Sequence, residues 1–410
     1  MKNPLEIFGK LFDGLEEKSK GKKVMAATVD AFDTFLRTPK TRTSGSVHLR
    51  DALDSKRMMS TVILALAPVA LFSIWNTGFQ KLSALQNVPG ALKSGCALLG
   101  TEPTFLNCVL HGLWQFIPIM AVTYAVGLGI EFVVAAVRGH EVNEGFLVSG
   151  MLIPLTLPPD IPLWMVAVGT AFGVVFGKEV FGGTGMNFLN PALTTRAFIF
   201  FSYPGAISGD TVWKAVDATK DAVVDGFSGA TPLAIAAATP AGQSPVAALE
   251  QAGFTLKSMF LGVMPGSTGE TSVLLCLVGA AILIATGVAS ARIMVSAAAG
   301  VLVTGGLLNL FAGDASPAYW HLPAYWHLVM GGFAFGAVFM ATDPVSAAAT
   351  GVGKIVYGFM IGLLVVVIRV LNPAFPEGTM LAILLMNVFA PLIDHFVVQA
   401  NVRRRLRRAQ

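Results

Sequence analysis

Three carboxylates interrupt stretches that are otherwise apolar: Glu131, Asp343 and Asp394. A carboxylate in such surroundings costs several kcal/mol unless it is paired, protonated or bound to a cation. These residues are therefore either members of a cation pathway or partners of Arg196, Lys354 or Arg138, or they reach for an interface. A second kind of chemistry belongs to amides. Asn187 and Asn190 flank Phe188-Leu189, and Asn190-Pro191 opens an apolar stretch. Asn is a favoured helix N-cap and Pro fits the position after it, so a cap is one reading; a side-chain amide can also donate to and accept from a polar ligand edge. A third candidate is a hydroxyl. Asp225-Gly226-Phe227-Ser228-Gly229-Ala230-Thr231 lies in a polar stretch at 205–270, and taken alone its Ser-Gly-Ala-Thr run marks a flexible turn.

The elements that must position these groups belong to a membrane. Mean hydropathy is +0.68. Charged residues are 13% of the chain, about half the share usual in a soluble domain. Of the 28 Lys and Arg, 12 fall in residues 1–57 and 5 in the last ten. That distribution describes a membrane body with two basic ends. It points to anionic lipid and to orientation, and not to nucleic acid. Residues 1–57 are too polar to hold a cleavable leader. Within this arm Leu5, Phe8, Phe12 and Leu15 fall at helical spacing beside Ile7 and Leu11, the pattern of an amphipathic helix lying on a bilayer.

Apolar windows predict about ten spans, at 59–77, 110–136, 145–157, 161–178, 188–204, 271–290, 292–311, 325–342, 354–371 and 379–398. The basic start, Arg138, Lys178, Arg292, Lys354 and the tail Arg403 to Arg408 fall on one side, which the positive-inside rule makes cytoplasmic; Lys81, Lys93 and Arg369 dissent. Both termini are then cytoplasmic and the 205–270 loop is external. The expected organisation is a cytoplasmic arm at 1–57, a five-span half at 58–204, the external loop at 205–270, a second half at 271–400 and a basic tail at 401–410. An odd number of spans per half inverts the second half, and the sequence repeats accordingly. Thr156-Leu157-Pro158-Pro159 matches Thr342-Asp343-Pro344-Val345, and Phe188-Leu189-Asn190-Pro191-Ala192-Leu193 matches Val370-Leu371-Asn372-Pro373-Ala374-Phe375. The fold expected is an all-α polytopic membrane protein of two inverted five-helix repeats. Prolines at such breaks free backbone groups at membrane depth, which is tolerated where they face a cavity, a ligand or other protein.

Several phrases, in order, resemble the family of B subunits of the sodium-translocating NADH:quinone oxidoreductases of bacterial respiratory membranes. They are His48-Leu49-Arg50-Asp51, Gly139-His140-Glu141-Val142-Asn143-Glu144-Gly145-Phe146, Lys178-Glu179-Val180-Phe181-Gly182-Gly183-Thr184-Gly185, Asn187 to Leu193, Met340-Ala341-Thr342-Asp343-Pro344-Val345-Ser346, Asn372 to Gly378, and the run ending at Thr231. The resemblance covers nearly the whole chain and implies a fold similar to that of urea and ammonium channels. It implies FMN joined through its phosphate to Thr231 by a flavin transferase that reads Asp225, Ser228 and Gly229. It also implies a non-covalent riboflavin near Asn187, Asn190 and Asp343, with Gly182, Gly183 and Gly185 allowing a flat ring to approach.

By the same resemblance Glu131, Asp343 and Asp394 match acidic positions associated with cation uptake, Na+ or H+. Quinone would meet the loop Asn143-Glu144-Gly145-Phe146, where Phe146 would supply an apolar wall. No Walker loop or Rossmann fingerprint occurs, so NADH would be oxidised on partner subunits, and this chain would carry electrons without a catalytic side chain of its own. No Cys/His set has metal-ligand spacing. Two departures stand out: a long Trp213–Asp225 segment, and Gly127-Leu128 where the family tends to carry a glycine pair. Two alternatives share parts of the pattern. The D subunit of the related RNF complex carries the fold and the flavin threonine; a urea- or ammonium-type channel carries the fold alone. Ala318-Tyr319-Trp320-His321-Leu322 and Ala324-Tyr325-Trp326-His327-Leu328 read as an outer aromatic belt, Cys96 and Cys108 as an external-loop pair that a disulfide could join, and Cys276 as an apolar packer.

Overall fold

The computed structural model describes residues 55–86, 102–138, 145–209, 212–214, 229–313, 316–372 and 377–409. The N-terminal arm, Cys96, Asn143, Glu144, Asp225 and Ser228 lie outside them. Among the described residues every regular element is helical. We label ten: α1 (Ser55–Gln86), α2 (Phe105–Arg138), α3 (Phe146–Thr156), α4 (Leu163–Gly177), α5 (Pro191–Ser202), α6 (Pro232–Ala238), α7 (Val273–Ala285), α8 (Ala291–Phe311), α9 (Gly351–Leu371) and α10 (Thr379–Ala409). Among the described residues six helices are long and apolar enough to cross a membrane: α1, α2, α4 with the turn after it, α8, α9 and α10. The remaining predicted spans correspond to shorter pieces. α3 has 11 residues and α5 has 12; α7 has 13.

Local chemistry sets these limits. α3 ends where Leu157 turns extended, as expected of a residue before proline. Its freed carbonyls are met from far along the chain: the amides of Thr268 and Gly269 donate to the carbonyls of Leu157 and Leu155 at 3.1 and 2.7 Å. α5 starts at an Asn190 cap with Pro191 in the first turn. The window at 325–342 does not form one helix. It is a turn at Trp326–Val329, a left-handed Gly331 (φ 62°), a short turn at Phe333–Phe335 and a π turn at Gly336–Met340. Gly331 and Gly332 cannot be replaced cheaply there. A Cβ on Gly331 would meet Leu233 at 2.5 Å, and one on Gly332 would meet the Glu270 and Glu377 carboxylates at 2.7 and 2.8 Å.

α1 packs on α2 and α7, α2 on α3 and α4, α4 on α5, α8 on α9, and α9 on α10, with α5 touching α10. The closest crossings are made by small residues, the usual device where lipid removes the hydrophobic drive for helix association. A Cβ on Gly362 of α9 would meet the Ala297 carbonyl oxygen at 2.0 Å, and one on Gly112 of α2 the Ile74 oxygen at 1.7 Å.

Two expectations are corrected. Cys108 is a buried residue inside α2, packed against Gly78 of α1 rather than in an external loop. The aromatic repeat is not a uniform outer belt: Tyr319, Trp326 and His327 are buried, Trp320 is half-buried, and His321 and Tyr325 are exposed.

Candidate functional site

Two cavities lie towards opposite ends of α5. The first gathers Asn187, Asn190 and Pro191 from the α5 entry, Thr342, Asp343 and Pro344 from the break before α9, Gly145 and Ser149 at the start of α3, Lys178, and apolar walls from Val62, Leu283 and Phe339. The proline break at Asn190-Pro191 in the first half thus meets the one at Thr342-Asp343-Pro344 in the second. Asn190 caps α5, its side-chain oxygen accepting from the amides of Ala192 at 3.0 Å and Leu193 at 3.3 Å. Its side-chain NH2 makes no hydrogen bond among the described residues. Asn187 is arranged the other way: its NH2 donates to the Leu189 carbonyl at 2.9 Å, leaving its oxygen for the cavity. One amide offers a donor and its neighbour an acceptor, the pair required by an imide N–H beside a carbonyl. The cavity, about 80 Å³, admits the polar edge of a fused ring. Gly182, Gly183 and Gly185 all have positive φ, and a Cβ on Gly185 would meet open space.

The carboxylates have distinct partners. Glu131, buried in α2, pairs with the equally buried Lys178, and its Oε2 has no partner among the described residues. Asp343 accepts from the Val345 amide at 3.2 Å and the Ser346 hydroxyl at 2.9 Å. Asp394 of α10 braces the start of α9, accepting from the amides of Ala349 and Thr350 at 2.6 and 3.0 Å and from the hydroxyl of Thr350, the residue that caps the helix. Among the described residues neither Arg196, Lys354 nor Arg138 forms a salt bridge with any of the three. Arg138 instead lies 3.7 Å from Glu179. Phe146 is fully buried, with its ring edge-on to Tyr124 at 6.1 Å and directly over Gly127. Of the loop expected to meet quinone, Gly145 lines the first cavity and Phe146 lies in the core.

The second cavity, about 480 Å³, has Thr231 in its lining. Thr231 caps α6, its Oγ1 accepting from the Ala234 amide at 3.3 Å. An oxygen that accepts in this way can still do so as an ester, so the cap does not compete with substitution at the hydroxyl. Gly229 is buried just before it. The cavity wall includes apolar Phe200, Leu233 and Met264, with Trp213 near the rim, and a polar group that sequence reasoning missed. Arg196 of α5 donates to Glu270 at 2.6 Å, to Ser267 at 3.2 Å and to Glu377. Burial and the neighbouring Glu377 carboxylate push the Glu270 pKa above the usual carboxylate range, against the pull of Arg196. The volume and the mixed wall suit a fused aromatic ring tethered at Thr231.

Arg369 was missed as well. It is fully buried and donates to the carbonyls of His327 at 2.8 Å and Met330 at 2.9 Å. These are backbone acceptors at the break in the 325–342 segment. Its position against the charge rule has this cause: it serves a broken helix and not an interface. The only advance signal was the dissent itself.

The profile of the NQR2, RnfD, RnfE family matches residues 42–403. The B subunit of the Na(+)-translocating NADH-quinone reductase of Azotobacter vinelandii is 51% identical over 396 residues, 93% of this chain and 94% of that protein. Its counterpart in Ectopseudomonas mendocina is 49% identical over the same shares, and that in Chromohalobacter salexigens 50% identical over 93% of this chain and 91% of its own length.

Proposed function

This chain belongs to the NQR2, RnfD, RnfE family, and from that membership we propose that it is the membrane flavoprotein subunit of a sodium-translocating NADH:quinone oxidoreductase. The observation that carries the reading is the pairing of cavities along α5. Pro191 lines one and Arg196 the other, five residues apart and so about 8 Å along the helix axis. A redox group in each cavity would place the two towards opposite ends of one short helix, with α5 as the shared wall.

Flavins supply the electron-carrying chemistry when bound; this chain's residues supply attachment, orientation and charge. Thr231 offers the hydroxyl for the FMN phosphoester, with Asp225, Ser228 and Gly229 as the motif a flavin transferase reads. Phe200, Leu233 and Met264 wall the ring, and Arg196 with Ser267 presents hydrogen-bond donors beside it. In the other cavity Asn187 and Asn190 hold riboflavin by its polar edge, with Asp343 beside them. Glu131, Asp343 and Asp394 lie on the path by which sodium enters. Quinone is met near Asn143, Glu144, Gly145 and Phe146. NADH is oxidised on partner subunits.

The whole is a ten-span inverted repeat in a bacterial inner membrane, with both termini cytoplasmic and Thr231 external. Half-helix α3 and the broken 325–342 segment occupy matching positions, and the pairing of α4 with α5 has its counterpart in α9 with α10. Both observations support that reading.

Thr231→Val, expressed with the flavin transferase, is the direct test. The denatured wild-type band should fluoresce in a gel and the variant band should not. A flavin-bearing peptide recovered from the variant would rule out the attachment. A wild-type chain with no covalent flavin would likewise rule out the attachment.

A further inference from the structure

Lys178 belongs to two structures at once. It lines the first cavity beside Asn187, Asn190 and Asp343, and its ammonium holds Glu131 of α2, each side chain being 4% exposed. The chain leaves α4 there in a non-helical conformation (φ −135°, ψ −62°), and the Lys178 carbonyl is bound by the amides of Phe181 and Gly183 at 3.3 and 3.1 Å. The backbone is therefore pinned, and any reorientation of Lys178 must come from its four-carbon stem.

The charges around the ammonium do not balance. Glu131 faces it from α2 and Asp343 borders the same cavity from the break before α9. Glu179, near enough to act on Glu131, is itself paired with Arg138, whose guanidinium also donates to the Glu179 carbonyl at 2.7 Å. One ammonium thus pairs with Glu131, while a second carboxylate, Asp343, borders the cavity that Lys178 also lines. Asp343 has two local donors, whereas Glu131 has Lys178 on one oxygen and no partner on the other among the described residues. A buried carboxylate in this state stays ionised only while a positive charge accompanies it. An ammonium and a monovalent metal cation are alternative ways of meeting that need.

We propose that Lys178 is a tethered counter-ion that closes Glu131 against cations from solution, and that negative charge arriving in the Asn187–Asn190–Asp343 cavity draws the ammonium away and opens Glu131 to one cation. Charge balances: one electron, drawn from NADH through the partner subunits, is matched by one cation bound. Lys178 is a positioning residue in this scheme, acting through Glu131. The opening step rests on the cavity being a redox site; the closure of Glu131 by Lys178 does not.

The test uses the purified holo-complex and sodium chloride, with potassium chloride at equal ionic strength as reference. Sodium should raise the thermal unfolding midpoint of the dithionite-reduced wild type more than that of the oxidised form. In Lys178→Met the oxidised form should already respond, and the sodium concentration for half-maximal quinone reduction should fall about tenfold, within the range usual for coupled sites. Lys178→Arg should behave as wild type. Adding Glu131→Gln to Lys178→Met, a neutral pair that serves as the folding control, should abolish the response.

Equal sodium responses in Lys178→Met and wild type would overturn the proposal, as would lower turnover with unchanged sodium dependence. If Lys178→Met does not assemble, equal sodium stabilisation of oxidised and reduced wild type overturns it alone. Riboflavin released on denaturation is measured in parallel. Its absence from wild type would overturn the cavity assignment and the opening step, while the oxidised-state comparison still decides the closure.

Discussion

At the scale of single residues, two side chains carry double duties that substitution can separate. Asn190 is a helix cap through its oxygen and a cavity donor through its nitrogen. Asn190→Asp keeps the accepting oxygen and places charge favourably at a helix start. We expect it to leave the unfolding midpoint near wild type while riboflavin retention falls roughly threefold to a hundredfold. Asn190→Ala should lose both, with about 1 kcal/mol of stability. Riboflavin and FMN contents of the purified variants, set against their melting curves, check this; full riboflavin in Asn190→Asp would leave the cap as its whole role. Glu270 carries the second prediction. Its folded pKa is raised, so it contributes stability at low pH that is lost as pH climbs from the usual carboxylate range through the raised value. Glu270→Gln should flatten that decline in a pH series of melting curves. An unchanged slope would mean that Glu270 stays ionised throughout.

At the scale of elements, α2 and α3 are fitted through glycines on both helices, Gly150 of α3 against Tyr124 and Gly127 of α2 under Phe146. A Cβ on Gly127 would stand 1.9 Å from the Phe146 ring, and Phe146 is the first residue of α3. Gly127→Ala must therefore push the start of α3, and with it Gly145 in the first cavity. Overpacking of this kind costs about 1–3 kcal/mol. We expect a lower melting midpoint and weaker riboflavin retention, both restored by Phe146→Leu in the same chain. A midpoint unchanged from wild type would show that the ring has room to turn. This packing gives the second-span glycine a cause that the Gly127-Leu128 departure obscured: the first glycine accommodates an aromatic ring, and Leu128 packs against the core beside it.

At the scale of the molecule, the proposed orientation makes a prediction about access. Glu250 and Arg407 are both exposed, and they fall on opposite sides in the ten-span reading. In a Cys96→Ser background, Glu250→Cys should react with a membrane-impermeant thiol reagent in intact spheroplasts. Arg407→Cys should react only after the membrane is opened. Cys108 and Cys276 are buried and should stay silent. Labelling of both sites in intact cells would break the five-plus-five count.

The sequence alone determined the class and the address of each candidate. Hydropathy and charge place helices in a membrane, and Asn190-Pro191 marks a helix start through local hydrogen bonds. All of these depend on neighbours within a few positions. Which charge meets which was decided only by tertiary structure. Lys178 lies 47 residues from Glu131, and Arg196 lies 74 and 181 residues from Glu270 and Glu377. No local pattern encodes those separations. The 325–342 window read as a helix because its residues are apolar, yet it breaks because Glu270 and Glu377 crowd Gly332 while Arg369 supplies donors to the freed carbonyls. Buried charge must find a partner wherever the fold brings one, and only the folded chain determines where that is.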